Sequence, residues 1–280
     1  MAKTFDCSNQ NLTTLIGVVP EDTKILRCQN NQLTSLEGCP TGLHVLDCEN
    51  NRLVSLKKCP NNLQELYCHR NQLKSLEGCP VSLQILNCED NRLVSLKGCP
   101  SGIRKLYCRG NQLITLKGCP GGLQELNCCV NQLVSLEGCP SNLQMLNCRW
   151  NQLKSLEGCP NVRELDCAGN QLTSLTGCPN SVQELYCHLN QLKSLEGCPN
   201  SLRKIYYDGN PFIPCDTCGE YWGQWEKRVN HFFIHAVKKF NHNYQARRIQ
   251  KAWYRYWYEE LLSDGFNRAA HRCAELCMEI

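Results

Sequence analysis

No apolar run in the chain approaches the roughly 20 residues that a membrane helix needs, so no spanning segment is expected. The start, Met-Ala-Lys-Thr-Phe-Asp-Cys, lacks the basic stretch and apolar core of a secretory signal. No charge of one sign dominates. Thirty basic and 26 acidic side chains leave +4, too weak a balance to argue for nucleic acid. Glycine-rich phosphate loops, a Ser-His-Asp set and paired carboxylates are all missing. His69 and His188 would lie about 30 Å apart at one strand spacing per repeat, so they cannot cooperate in catalysis. The sequence therefore reads as non-enzymatic.

What the chain has instead is 24 cysteines in 280 residues. Without a secretory signal, the expectation is reduced thiols in an intracellular, cytoplasmic setting. Cys28, Cys48, Cys68, Cys88, Cys108, Cys128 and Cys148 recur every 20 residues, and Cys167 and Cys187 continue the series. A second series runs from Cys39 through Cys59, Cys79, Cys99, Cys119, Cys139, Cys159 and Cys178 to Cys198. About ten such units cover residues 5–210.

One unit shows the logic. In residues 63–80, Leu63, Leu66, Cys68, Leu73, Leu76 and Cys79 are expected to point inward and stack on their equivalents in neighbouring coils. Burying each leucine is worth roughly 1.5–3 kcal/mol. Asn71 and its equivalents, from Asn31 to Asn210, mark the bend after a strand, where a buried amide can both donate and accept. Pro80 and its equivalents fix the corner before the next strand. A 20-residue period leaves no room for a full helix on the outer side, which predicts turns and extended or 3₁₀ chain there. The departures fall at defined places. Val19 replaces the second cysteine of the first unit, Lys58 replaces the usual glycine, and the unit after Pro160 is one residue short. Tyr207 takes the cysteine slot of the last unit.

The pattern Leu-x-x-Leu-x-Cys-x-x-Asn-x-Leu resembles the leucine-rich repeat, with cysteine in the third leucine slot. The 20-residue period with a Pro-x-x-Leu start is similar to the short repeats of bacterial effectors. The Leu-x-Gly-Cys-Pro variant resembles the Cys-rich repeat proteins of marseillevirus-type giant DNA viruses. That likeness implies host cytoplasm or virion, and a structural component of a larger viral assembly. The fold expected is a β-solenoid-like ribbon of short coils, with a parallel sheet on its concave face and a small α-helical segment after it. Residues 1–22 form an irregular amino-terminal edge and first repeat, 23–210 the repeats, and 211–280 a helical aromatic-rich cap.

Two thiol ladders could hold metal or form disulfides. Packing is the better reading, because free cysteine behaves as a small buried hydrophobe and follows the leucine slots. Cys129 lies outside both ladders, so it is expected on the strand surface as the most reactive thiol of the repeats.

Side chains alternate along a strand, so residues between the leucine slots face out on the sheet. These positions vary while the framework does not, and repeat proteins bind through such surfaces. Early units are acidic (Asp47, Glu49, Glu65, Glu89, Asp90). Later units carry Tyr107, Arg109, Arg149, Trp150, Tyr186 and His188, the residue types that anchor interfaces. A protein partner is expected there. The alternative is a solvated sheet face with no partner.

Composition shifts at Pro211, beyond which lie Trp222, Trp225, Trp253 and Trp257. Residues 219–243 and 244–262 read as helices able to cover the open end of the last coil. Cys215 and Cys218, followed by His231 and His235, have the ligand spacing of a C2H2 zinc finger, which implies a structural zinc. Arg228 stands where that finger carries leucine, so capping without metal remains open. Arg247–Arg255 resembles an IQ motif, which implies a calmodulin-type light chain as a second partner. The functional expectation is a binding scaffold. The rival is an effector-like substrate-recognition subunit of an enzyme such as a ubiquitin ligase, although about 70 residues after the repeats are short for a catalytic domain.

Overall fold

The computed structural model describes residues 3–211. They form one parallel sheet of eleven strands in simple sequence order. The strands are β1 (Thr4–Asp6), β2 (Ile25–Arg27), β3 (Val45–Asp47), β4 (Glu65–Tyr67), β5 (Ile85–Asn87) and β6 (Lys105–Tyr107). They continue with β7 (Glu125–Asn127), β8 (Met145–Asn147), β9 (Glu164–Asp166), β10 (Glu184–Tyr186) and β11 (Lys204–Tyr206). The register repeats from coil to coil: Leu46 sits against Leu66, Leu66 against Leu86, and Leu185 against Ile205. Each strand is three residues long because only its central residue needs to face the core. Leu46, Leu66, Leu86 and Leu106 are fully buried, while their strand neighbours face the concave side.

The asparagine ladder closes the core at one edge. The Asn51 Nδ2 donates to Cys28 O at 3.0 Å and to Cys48 O at 3.1 Å, and its Oδ1 accepts from Leu33 N at 2.9 Å. One amide thus joins two coils and satisfies backbone groups that the bend strips of strand partners. The pattern recurs at Asn71, Asn91, Asn111, Asn131 and Asn151.

Cysteine does more in its slot than fill volume. The Sγ atoms of Cys108 and Cys148 donate to Asn127 O and Asp166 O at 3.3 Å each, adding weak bonds between coils. The inner thiols are fully buried. The second series, Cys59 apart, is only partly so, lying at the margin of the core and packed against it. Cys79 and its equivalents are therefore less enclosed than a purely inward orientation implies. The outer side is made of turns and bends, without helix among the described residues.

Two departures have local explanations. In complete units Leu83 N donates to Pro80 O and Leu123 N to Pro120 O, closing a turn over three residues. In the short unit Val162 N donates to Pro160 O at 2.8 Å, one residue tighter. The deletion is absorbed in that corner, and β8 still meets β9 in register, Leu146 against Leu165. The turn Leu36–Cys39 is closed by Cys39 N to Leu36 O, with Gly38 at φ +93°. That third position of the turn favours glycine. A Cβ on Gly78, the equivalent two coils on, would come within 2.8 Å of Leu56 backbone atoms. Lys58 nevertheless occupies such a position, at φ +72°.

The concave face as candidate binding surface

Three rows of side chains cover the concave face: the first and third residues of each strand, and the residue after the inner cysteine. A fourth row follows at the edge, where the chain turns away. Every described member of that row from Asn30 to Leu189 has positive φ, including Arg70 at 53°, Val130 at 54°, Trp150 at 52° and Leu189 at 53°. The bend requires it, because the backbone amide at each of these positions donates to the next coil. Val130 N reaches Arg149 O at 2.9 Å and Trp150 N reaches Ala168 O at 2.8 Å. Sequence reasoning missed this conformation. The signal was present in Asn30, Asn50, Gly110, Gly169 and Gly209, residue types that enter the left-handed region at little cost.

On the early half of the face, charged side chains meet between neighbouring coils. Glu49 lies 2.9 Å from His69 and 3.3 Å from Arg70, and Arg70 lies 3.9 Å from Asp90. Asn127 donates to Glu89 at 3.2 Å, and burial pushes the Glu89 carboxyl up from its ordinary value.

The later half is different. Tyr107, the third residue of β6, donates its hydroxyl to Glu125 at 2.8 Å. Tyr186 stacks on Tyr206 with ring centroids 4.6 Å apart and planes within 3°. The Arg149 guanidinium lies 5.6 Å from the centre of the Trp150 ring, within cation–π range. The Trp150 ring extends over the next coil, since a Cβ on Gly169 would come 2.6 Å from its Cε3. Trp150 remains 47% exposed. His188 is partly buried. That burial lowers its pKa, Arg149 adds to the effect, and Asp166 and Asp208 oppose it.

The six residues singled out in the sequence thus share one face. Arg149 and Trp150 are in contact. Tyr107 and Tyr186 stand four strands apart, about 19 Å at ordinary strand spacing, and do not touch. Cys129 differs from expectation. It is only 7% exposed, and burial raises its thiol to about 11. It is therefore not an exposed reactive thiol. Cys215, Cys218, His231, His235 and the Arg247–Arg255 segment lie outside the described residues. Among the described residues no cluster of three or more His, Cys, Asp or Glu side chains is placed to hold a metal, and no helix is long and apolar enough to cross a membrane.

A family profile described as leucine-rich repeats matches residues 141–180. YopM from Yersinia enterocolitica WA-314 superposes with a TM-score of 0.63 at 34% identity, over 69% of this chain and 43% of that one. The repeats are leucine-rich repeats. The functional domain of InlJ from Listeria monocytogenes, described as including a cysteine ladder, is similar at 26% identity and a TM-score of 0.62. That match covers 74% of this chain and 49% of InlJ, so this leucine-rich-repeat chain spans less than half of either protein. The leucine-rich repeat domain of APL1 shares the fold, with a TM-score of 0.61 at 20% identity. No curated protein matches by sequence.

Proposed function

We propose that the ribbon is a non-enzymatic scaffold that holds a protein partner on the later half of its concave face. Tyr107, Arg109, Arg149, Trp150, Tyr186 and His188 would make the contacts. The observation that carries this reading is Trp150, half-exposed beside Arg149 on the concave face. Aromatic and arginine side chains are the usual anchors of interfaces. Residues 211–280 would cover the last coil, and the thiol-rich core suits a reducing, intracellular setting. A place in a larger viral assembly is compatible with such a scaffold.

The test is affinity capture followed by mass spectrometry. Arg149→Ala with Trp150→Ala should abolish capture of whatever the unaltered chain retains, with melting nearly unchanged. Lys74→Ala with Glu77→Ala, both exposed on the outer side, should change neither. Loss of capture in the outer pair, or on deletion of residues 244–280, with retention in the Trp150 pair, would refute the concave reading.

A further inference from the structure

The left-handed edge row holds a contradiction between residue type and backbone. Asn30, Asn50, Gly110, Gly169 and Gly209 suit their positive φ. Arg70 is bulkier, but its guanidinium is engaged by Glu49 and Asp90. Val130 and Leu189 have no such compensation, and Trp150 has only the Arg149 guanidinium 5.6 Å from its ring. A β-branched or bulky apolar side chain at positive φ is disfavoured in itself. Burial does not offset it either, because the three remain 40%, 47% and 45% exposed. Such strain, held in place by the surrounding structure, concentrates at binding sites.

The neighbouring coils accommodate these side chains. Trp150 lies over Gly169. Leu189 lies over Gly209, where a Cβ would come 2.7 Å from Leu189 Cδ2. Small residues beneath let the large ones extend along the ribbon and form an apolar rail. Arg109 and Arg149 stand in the adjacent row, with the small side chain of Cys129 between them. Among the described residues neither makes an ion pair, and the buried Arg149 Nε has no hydrogen-bond acceptor. Glu89 and Asp166 act on Arg109 and Arg149 electrostatically without closing to ion-pair distance. Asp166 accepts from Ala168 N at 3.1 Å, and Glu89 accepts from Asn127.

We infer that this edge is the docking site for an acidic segment of the partner protein, one that lays bulky apolar side chains along Val130, Trp150 and Leu189 and presents carboxylates to Arg109 and Arg149. The inference rests on the concave-face reading above and assigns the chemistry of its partner. Guanidinium groups pair with carboxylates through charge-assisted bonds, and an apolar rail beside them selects segments that alternate acidic and apolar residues.

The experiment sorts a displayed library of random peptides on the full chain. Enrichment of sequences carrying Asp or Glu beside Phe, Trp, Leu or Ile is expected. Enriched peptides should lose affinity by about thirtyfold or more with Arg109→Glu and Arg149→Glu, or with Val130→Asn, Trp150→Asn and Leu189→Asn. The asparagine variant should melt no lower than the unaltered chain, because asparagine already fills this row at Asn30 and Asn50. Enrichment of basic or uncharged peptides that still depend on Trp150 would overturn the acidic-segment inference and leave concave binding standing. No enrichment would overturn the inference as well. Peptides unaffected by any of these substitutions would overturn both.

Discussion

The two halves of the concave face rest on the same scaffold and use it differently. From β2 to β5 the outward charges meet each other across neighbouring coils, as Glu49 does with His69 and Arg70. From β6 to β11 ion pairs also form, Lys105 with Glu125 and Lys204 with Glu184, but Arg109 and Arg149 reach no carboxylate at ion-pair distance among the described residues, and Val130, Trp150 and Leu189 stand on a backbone that disfavours them. The leucines, inner cysteines and asparagines do not change between the halves. A solenoid separates these tasks because the stack is held by contacts between adjacent coils, so the outward rows can diverge without disturbing it. The difference is confined to Arg109, Arg149 and the edge row, which is where the proposed partner would lie.

The largest effect should be common to both halves. Burial holds inner thiols such as Cys48 well above their ordinary value of 9.0, and pushes Cys39 and Cys99 in the outer series up to about 12. The folded state therefore keeps protons that the unfolded state releases above pH 9. Stability is unaffected below that point and falls as pH rises beyond it, by roughly 1.4 kcal/mol per pH unit for each buried thiol. Chemical denaturation followed from pH 7 to 10 should show a steep loss above pH 9. A flat profile would mean that the thiols are not enclosed as described.

Next comes the asparagine ladder, whose loss should cost the same in either half. Asn71→Ala and Asn151→Ala each leave a buried backbone amide, Leu53 N or Leu133 N, unpaired and strip two inner-cysteine carbonyls of one of their two donors, at about 3 kcal/mol. Urea titration of the two variants should give matching losses. A large difference between them would break the claim of a uniform scaffold.

The halves should then separate. Removing the Arg149 and Trp150 side chains should weaken partner binding by about 2 kcal/mol or more. Glu49→Gln with Arg70→Ala should leave binding alone and shift stability by no more than about 1 kcal/mol, as for partly exposed ion pairs. Calorimetry on both pairs checks this.

The smallest effect concerns strain. Val130→Gly and Lys58→Gly should each raise stability by about 1 kcal/mol, because glycine reaches positive φ freely. Arg70→Gly should gain less, since it also loses two ion pairs. A lower melting temperature in the first two variants would contradict the account of backbone strain.

The scaffold was legible because its period is strict. The leucine slots, the asparagine bend and the absence of outer helix all follow from 20 residues per coil. The face was legible only as alternation, which separates outward from inward residues and stops where the strand ends. The left-handed row begins at that point. Trp150 was read there as one more outward residue, because nothing in its own identity signals positive φ. Cys129 was misread for a related reason. Its burial is a property of the stacked coils, which no single unit displays.

Hydroxyl-radical footprinting of the chain with and without its captured partner tests the division most directly. Tyr67 stands on the early half, and Tyr107, Trp150 and Tyr186 on the later one. Protection of the latter three upon binding, with Tyr67 oxidised as in the free chain, is the predicted result. Protection of Tyr67 with Trp150 still reactive would contradict it and place the partner on the early half.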